Sequence, residues 1–288
     1  MVIQQYRSRP QRIARAFTAP ARWGSAVLHH TGHQVTFVVK ALGAIPRTLI
    51  SYPGEVSRVL NDIAWGGGKI VVGGGTMTVL LILGLATGAS VGIEGFAALD
   101  MVGMGSLTGF ISAYATTREL GPMIAAIGFA AQAGCRMTAE IGSMRISDEI
   151  EALEAMAVRP LPYIVTTRII AGIAAIIPFY LITLILSYLA AAAVVTIVHG
   201  QSVGTYQHYF DTFLQPLDIF FSLIKASVFV LAVILIHAYQ GYHATGGPEG
   251  VGRASGRSIR ASLIVVVLLD TMLTLSLWGF DSGIRISG

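Results

Sequence analysis

Five long apolar stretches decide what this chain can fold into: Ile70–Gly92, Met101–Ala133, Ile169–Val198, Ile219–Tyr239 and Ser262–Phe280. As a helix, a run of about 23 residues covers roughly 35 Å, enough to cross a bilayer. Only 12% of the 288 residues are charged, and 54% are hydrophobic. Soluble domains carry about twice that charged fraction. A large soluble helical core is therefore the weaker reading, and an all-α membrane protein with five spans is expected.

Lys and Arg give the orientation. Residues 1–69 hold nine of them, the 134–168 connection four (Arg136, Arg145, Arg159, Arg168) and the 240–261 connection three (Arg253, Arg257, Arg260). The connections at 93–100 and 199–218 hold none, and the tail holds only Arg285. That bias alternates correctly for five spans with a cytoplasmic N-terminus and an outside C-terminus. The chain divides into a basic N-terminus (1–69), a five-span unit (70–282) and a short outer tail (283–288).

The first acid is Glu55, and no compact apolar run with a small-residue cleavage site follows the basic start, so no secretory signal is read there. An acid-free basic stretch suits anionic lipid head groups. Within it, Val35, Val38, Leu42, Ile45 and Leu49 recur at helical spacing over His33–Ile50. That pattern predicts an amphipathic helix lying on the membrane surface. The outer 200–218 loop is rich in Tyr and Phe, which reads as an interfacial belt or, less simply, a docking surface.

Small residues form two rows: Gly84, Gly88 and Gly92 in the first span, and Ala126, Ala130 and Gly134 in the second. Such rows let helix backbones approach closely where lipid supplies no hydrophobic drive. They predict helix contacts, within the chain or to a partner.

Several chemistries drop out. WGGGKIVV (65–72) resembles a phosphate loop only faintly, because Ile63 replaces the first Gly and Ile70 follows the Lys. GGPEGVG (246–252) reads as a flexible turn between spans. His29, His30 and His33 lack an acidic or Cys co-ligand nearby, and Cys135 has no evident His partner. No catalytic residue, resident cofactor, metal or nucleic-acid partner is expected.

Arg118, Glu119, Lys225 and Asp270 fall inside apolar spans. An unpaired charge at mid-bilayer costs at least about 2.5–3.5 kcal/mol, so such groups turn inward and pair. Two cations and two anions invite one network joining spans two, four and five. It could be purely structural, border a substrate cavity, or carry protons through Glu119 or Asp270.

RISDEIEALEAMAVRP (145–160) concentrates Asp148, Glu149, Glu151 and Glu154 in a chain with a net charge of +4. Ser147 is the expected N-cap of a helix over about 146–159 ended by Pro160. Ile146, Ile150, Leu153 and Ala157 fall on one narrow face. An acidic helix gains nothing beside an anionic membrane, so it reads as a plug for a cytoplasmic protein.

Around it, residues 116–172 resemble the signature region of the MlaE/YrbE permeases, the membrane subunits of ABC transporters that move lipids with MCE-domain proteins. The RELGP segment (118–122), TAEIGSMR (138–145) and the E-I-E-A-L run (149–153) match in sequence and spacing. The likeness extends over about residues 35–282. GQSVGTYQHYFDTFLQP and GYHATGGPEGVG further resemble the B-type member of the paired YrbE permeases of actinobacterial Mce systems. Two departures stand out: Glu151 occupies a position where many members have Asp, and B-type members often lack the RELGP charges.

The resemblance implies an MlaE-like fold and a cytoplasmic coupling helix seated in an ATPase groove. That role falls on Ser147, Asp148, Glu149, Ile150, Glu151, Leu153 and Glu154. It places Arg118, Glu119, Lys225 and Asp270 near a lipid cavity. It implies a second, A-type permease, two ATPase subunits holding ATP and Mg, and MCE proteins outside a bacterial plasma membrane. Fatty acids, sterols or phospholipids are the implied cargo. A proton-coupled secondary transporter and a non-transporting anchor for MCE proteins are the rival readings.

Overall fold

The structure is a computed structural model that describes residues 32–66 and 75–279. Every regular element among the described residues is helical. Four helices among the described residues are long and apolar enough to cross a membrane: α4 (Thr76–Asp100), α7 (Leu161–Val198), α9 (Pro216–Tyr242) and α10 (Gly247–Trp278). The second predicted span is a helical run over 108–146, α5. It is built from Thr108–Ala115, Gly121–Phe129 and Cys135–Ile146 joined by π turns at Thr116–Leu120 and Ala130–Gly134. All-helical construction follows from the solvent: a backbone in hydrocarbon must satisfy its own N–H and C=O groups.

Several boundaries move from their expected places. α4 runs on to Asp100, past Glu94, whose side chain is exposed. α7 begins near Leu161, eight residues before Ile169. Pro160 therefore opens the next helix instead of ending the acidic one, consistent with proline's tolerance in a first helical turn. The GGPEGVG segment is no flexible turn. Gly247 starts α10 with Pro248 and Glu249 in its first turn. Val251, Ala254, Ser258 and Ser262 are buried at helical spacing, with Val251 against Gly142 of α5.

The N-terminal region holds α1 (32–43), α2 (Ile45–Ser51) and α3 (Pro53–Trp65). Phe37, Ala41 and Thr48 face the protein. The apolar stripe read from sequence is split: Val38, Leu42 and Ile45 are half-buried, the last two against the core, while Val35 and Leu49 are 55% and 50% exposed. α3 was not anticipated; it buries Val59, Ile63 and Ala64 and packs on α7. The phosphate-loop-like segment falls largely outside the described residues.

The glycine row of α4 packs on α7 of the same chain. A Cβ on Gly84 would meet Thr183, one on Gly88 would lie 2.0 Å from the Ser187 carbonyl oxygen, and one on Gly92 would crowd Val194 and Ala191. Ala126 and Ala130 are fully enclosed, and Gly134 lies against the His237 ring of α9. At one end of the bundle, α8 (Val203–Phe213) covers the start of α5. Tyr206 donates to Ser112 Oγ at 2.9 Å, and Phe110 meets Phe213 at 4.6 Å between ring centroids. The aromatic loop is thus a packed helix.

Overpacking a tight helix contact costs about 1–3 kcal/mol. Gly88→Ala should therefore lower the thermal melting point in detergent clearly. Gly95→Ala, whose nearest new contact is 3.5 Å, should leave it unchanged. Parallel melting curves of the two variants check this.

Candidate functional site

Lys225 sits on α9 with no solvent exposure. Its ammonium donates to Glu119 Oε2 at 2.8 Å, to Thr274 Oγ1 at 2.6 Å and to the backbone carbonyl of Arg118 at 2.8 Å. Proline explains the last partner. Pro122 has no N–H to offer the carbonyl four residues earlier, and Lys225 donates to that oxygen. Thr274 in turn donates to Glu119 Oε1 at 2.8 Å.

Asp270 Oδ1 lies 2.8 Å from Lys225 Nζ but makes no hydrogen bond of acceptable angle. The three ammonium protons are already directed elsewhere, so Asp270 contributes charge and no directed bond. Glu119 is the most exposed of this group, its side chain 34% accessible, and is where the network reaches the surface of the chain.

The guanidinium of Arg118 turns away from this cluster. It pairs with Asp218 on the first turn of α9, Nη2 to Oδ2 at 2.9 Å, beneath the rings of Tyr114 (4.2 Å) and Trp278 (5.2 Å). Trp278 Nε1 donates to the other Asp218 oxygen at 2.7 Å. The set of four charges read from sequence was therefore incomplete. Asp218 was taken as part of an outer loop, yet it is buried. Its place at the start of an apolar run, next to Pro216, is the signal that could have found it.

Two further polar groups escaped the sequence. His237, fully buried, bridges Thr138 Oγ1 (2.8 Å) and Ser262 Oγ (3.2 Å), tying α9 to α5 and α10. At the end of the bundle that carries α3, Arg136 pairs with Asp62 and with Glu140 (2.8 Å). Arg168 reaches Glu140 at 3.2 Å and the Ile164 carbonyl at 2.8 Å. Arg136 and Arg168 carried only topological meaning in the sequence.

The acidic segment forms α6 (Glu149–Ala155) at that same end. Ser147 is not its N-cap: it closes α5, its one hydroxyl proton within reach of either the Ser143 carbonyl or Glu149 Oε1, each 2.9 Å away. Asp148 takes the N-cap position at a positive φ of 57°, a conformation short polar side chains tolerate. At the other end Ala157 (φ 60°) completes a Schellman closure, Val158 N–H to Leu153 O and Ala157 N–H to Glu154 O. Two left-handed residues thus frame the helix. Ile150 is buried and Leu153 half-buried, while Ile146 and Ala157 of the expected face are exposed. Asp148, Glu149, Glu151 and Glu154 all face outward, with Arg145 paired to Glu151.

The family profile Permease MlaE matches residues 69–276, well over half of the chain. The chain belongs to the MlaE permease family. It is 30% identical over 210 residues to the intermembrane phospholipid transport system permease protein MlaE of Haemophilus influenzae, covering 73% of this chain and 80% of that protein. A probable ABC transporter permease protein of Rickettsia felis is 27% identical over 236 residues, 79% of this chain and 85% of the relative. The Arabidopsis thaliana chloroplastic protein trigalactosyldiacylglycerol 1 is 28% identical over 200 residues, 69% and 57% of the two lengths. This MlaE-family chain is accordingly a multi-pass membrane protein and a lipid ABC-transporter permease.

Removing one partner from a buried ion pair costs about 3–5 kcal/mol because the other charge stays behind. Lys225→Met strands Glu119 and Asp270 and should abolish recovery of folded protein. Asp270→Asn leaves Lys225 its three hydrogen bonds and should lower the melting point only modestly. Size-exclusion yield and melting temperature separate the two.

Proposed function

We propose that this chain is one permease subunit of an Mce-type ABC transporter that moves lipids across the cell envelope of a bacterium. A second YrbE-type permease completes the membrane part, two cytoplasmic ATPases bind and hydrolyse ATP with Mg, and MCE-domain proteins receive or deliver lipid outside. The likeness of the outer and 241–252 segments to B-type YrbE permeases supports an A-type partner. The phospholipid in the Haemophilus relative's name supports a lipid cargo.

The observation that carries this reading is α6. A seven-residue helix anchored by Ile150, with its N-cap Asp148, presents four carboxylates outward at the end of the bundle where the Lys- and Arg-rich connections gather. With that end in the cytoplasm, the acids are placed to meet an ATPase groove and to carry its closure into α5 and α7. The N-terminus is then cytoplasmic and α8 lies outside. Arg118, Glu119, Lys225 and Asp270 would border the lipid path, with Glu119 as the exposed member.

Charge reversal at a docking surface typically costs enough to shift affinity about tenfold or more. In the complex purified through this chain, Glu149→Lys, Glu151→Lys and Glu154→Lys together should cut ATPase activity by at least that factor, with the permease still folded. A complex containing no ATPase, or one whose activity ignores the three changes, overturns the proposal. The first result would favour a proton-coupled transporter or an anchor for MCE proteins.

A further inference from the structure

An open groove of about 930 Å³ lies between the α1–α2 run and the 154–162 segment joining α6 to α7. Lys40 and Arg47 stand on one wall and Arg159 on the other, with His33 and His243 at the side. Among the described residues, the side chains of Lys40, Arg47 and Arg159 make no ion pair or hydrogen bond, and each is exposed. Among the described residues Glu154 is the one carboxylate in the lining, which leaves an excess of positive charge there. The N-terminal turn of α7, Pro160 to Pro162, also lines it and adds the positive end of a long helix. The concavity gathers three cations against one carboxylate, leaving like charges to repel one another. An anion relieves that repulsion.

The helix bearing two of these cations shows where the anion comes from. Thr36, Lys40, Gly43 and Arg47 line the groove at helical spacing. About 100° around the same run lies a different face. On it Val35, Val39, Leu49 and Ile50 are 55%, 63%, 50% and 82% exposed, an apolar surface without protein cover. A molecule filling both features has an anionic head and hydrocarbon tails. We propose that this groove binds the phosphate head group of an anionic phospholipid from the adjoining leaflet, with its acyl chains along the apolar face of α1–α2. The head group would touch α1–α2 and the end of α6 together, so leaflet composition would bias the position of the acidic helix. That last consequence rests on the role proposed for α6; the binding does not.

Native mass spectrometry of the purified full chain tests the site. The probes are phosphatidylglycerol and phosphatidylcholine with identical acyl chains. The wild type should retain at least one phosphatidylglycerol under conditions that strip phosphatidylcholine. Lys40→Gln, Arg47→Gln and Arg159→Gln together should reduce that retention about tenfold or more, since basic side chains near a membrane surface attract anionic lipid. The charge-preserving set Lys40→Arg, Arg47→Lys and Arg159→Lys should restore it, which separates lost binding from lost folding. Millimolar inorganic phosphate should leave retention unchanged; displacement would identify a soluble-phosphate site and overturn the proposal. Equal retention by wild type and the Gln set also overturns it, as does a groove protected only when another protein is bound. Loss of lipid retention beside unchanged ATPase coupling would leave the transporter reading intact and remove only the link to α6.

Discussion

Lys225 places a full positive charge where no solvent reaches, and three helices are arranged around satisfying it. Burying an ammonium is strongly unfavourable unless every proton finds an acceptor and the charge finds a counter-ion. α5 provides Glu119 and a carbonyl freed by Pro122, while α10 provides Thr274 and Asp270. Displacing either helix removes acceptors that nothing else in hydrocarbon can replace. The Arg118–Asp218 pair and the His237 bridge repeat this logic at other levels of the same three helices.

The rest of the bundle is held by shape. α4 carries no charge that pairs with its neighbour; its glycines let it rest directly on the backbone of α7. Two modes of association thus coexist. Close packing of small residues fixes α4 on α7, and buried polar networks fix α5, α9 and α10. Lipid provides no hydrophobic drive between helices, so both modes depend on contacts that are lost with small displacements. The π turns of α5 belong to the second mode. One of them presents Arg118 and Glu119, and the other leads into Cys135–Ile146 and the charge cluster near α3.

α6 projects from one end of this framework. It is too short to be stable alone. Left-handed residues at each end and the buried Ile150 hold it against α5, and its acids are free of the core. The neighbouring basic groove gives the same end of the molecule a surface of opposite charge. An acidic projection beside a basic cleft can address a protein and a lipid leaflet from adjoining positions.

Apolar run length and the placement of Lys and Arg determined, from sequence alone, that the chain is an all-α multi-span protein and where its charged end lies. The RELGP, TAEIGSMR and acidic segments pointed to its family. These features are local, because hydropathy and charge act residue by residue. Helix ends were misplaced where a span continues past a charge, as at Glu94, or begins at a proline, as at Pro160 and Pro248. The Ser147 cap failed because α5 claimed that residue first. Only the tertiary structure decided that Arg118 chooses Asp218, that His237 meets Thr138 and Ser262, and that the glycine row is internal. Those choices depend on which helices become neighbours and at what rotation. A buried polar group finds whichever partner lies within about 3 Å, and one-dimensional spacing does not carry that distance.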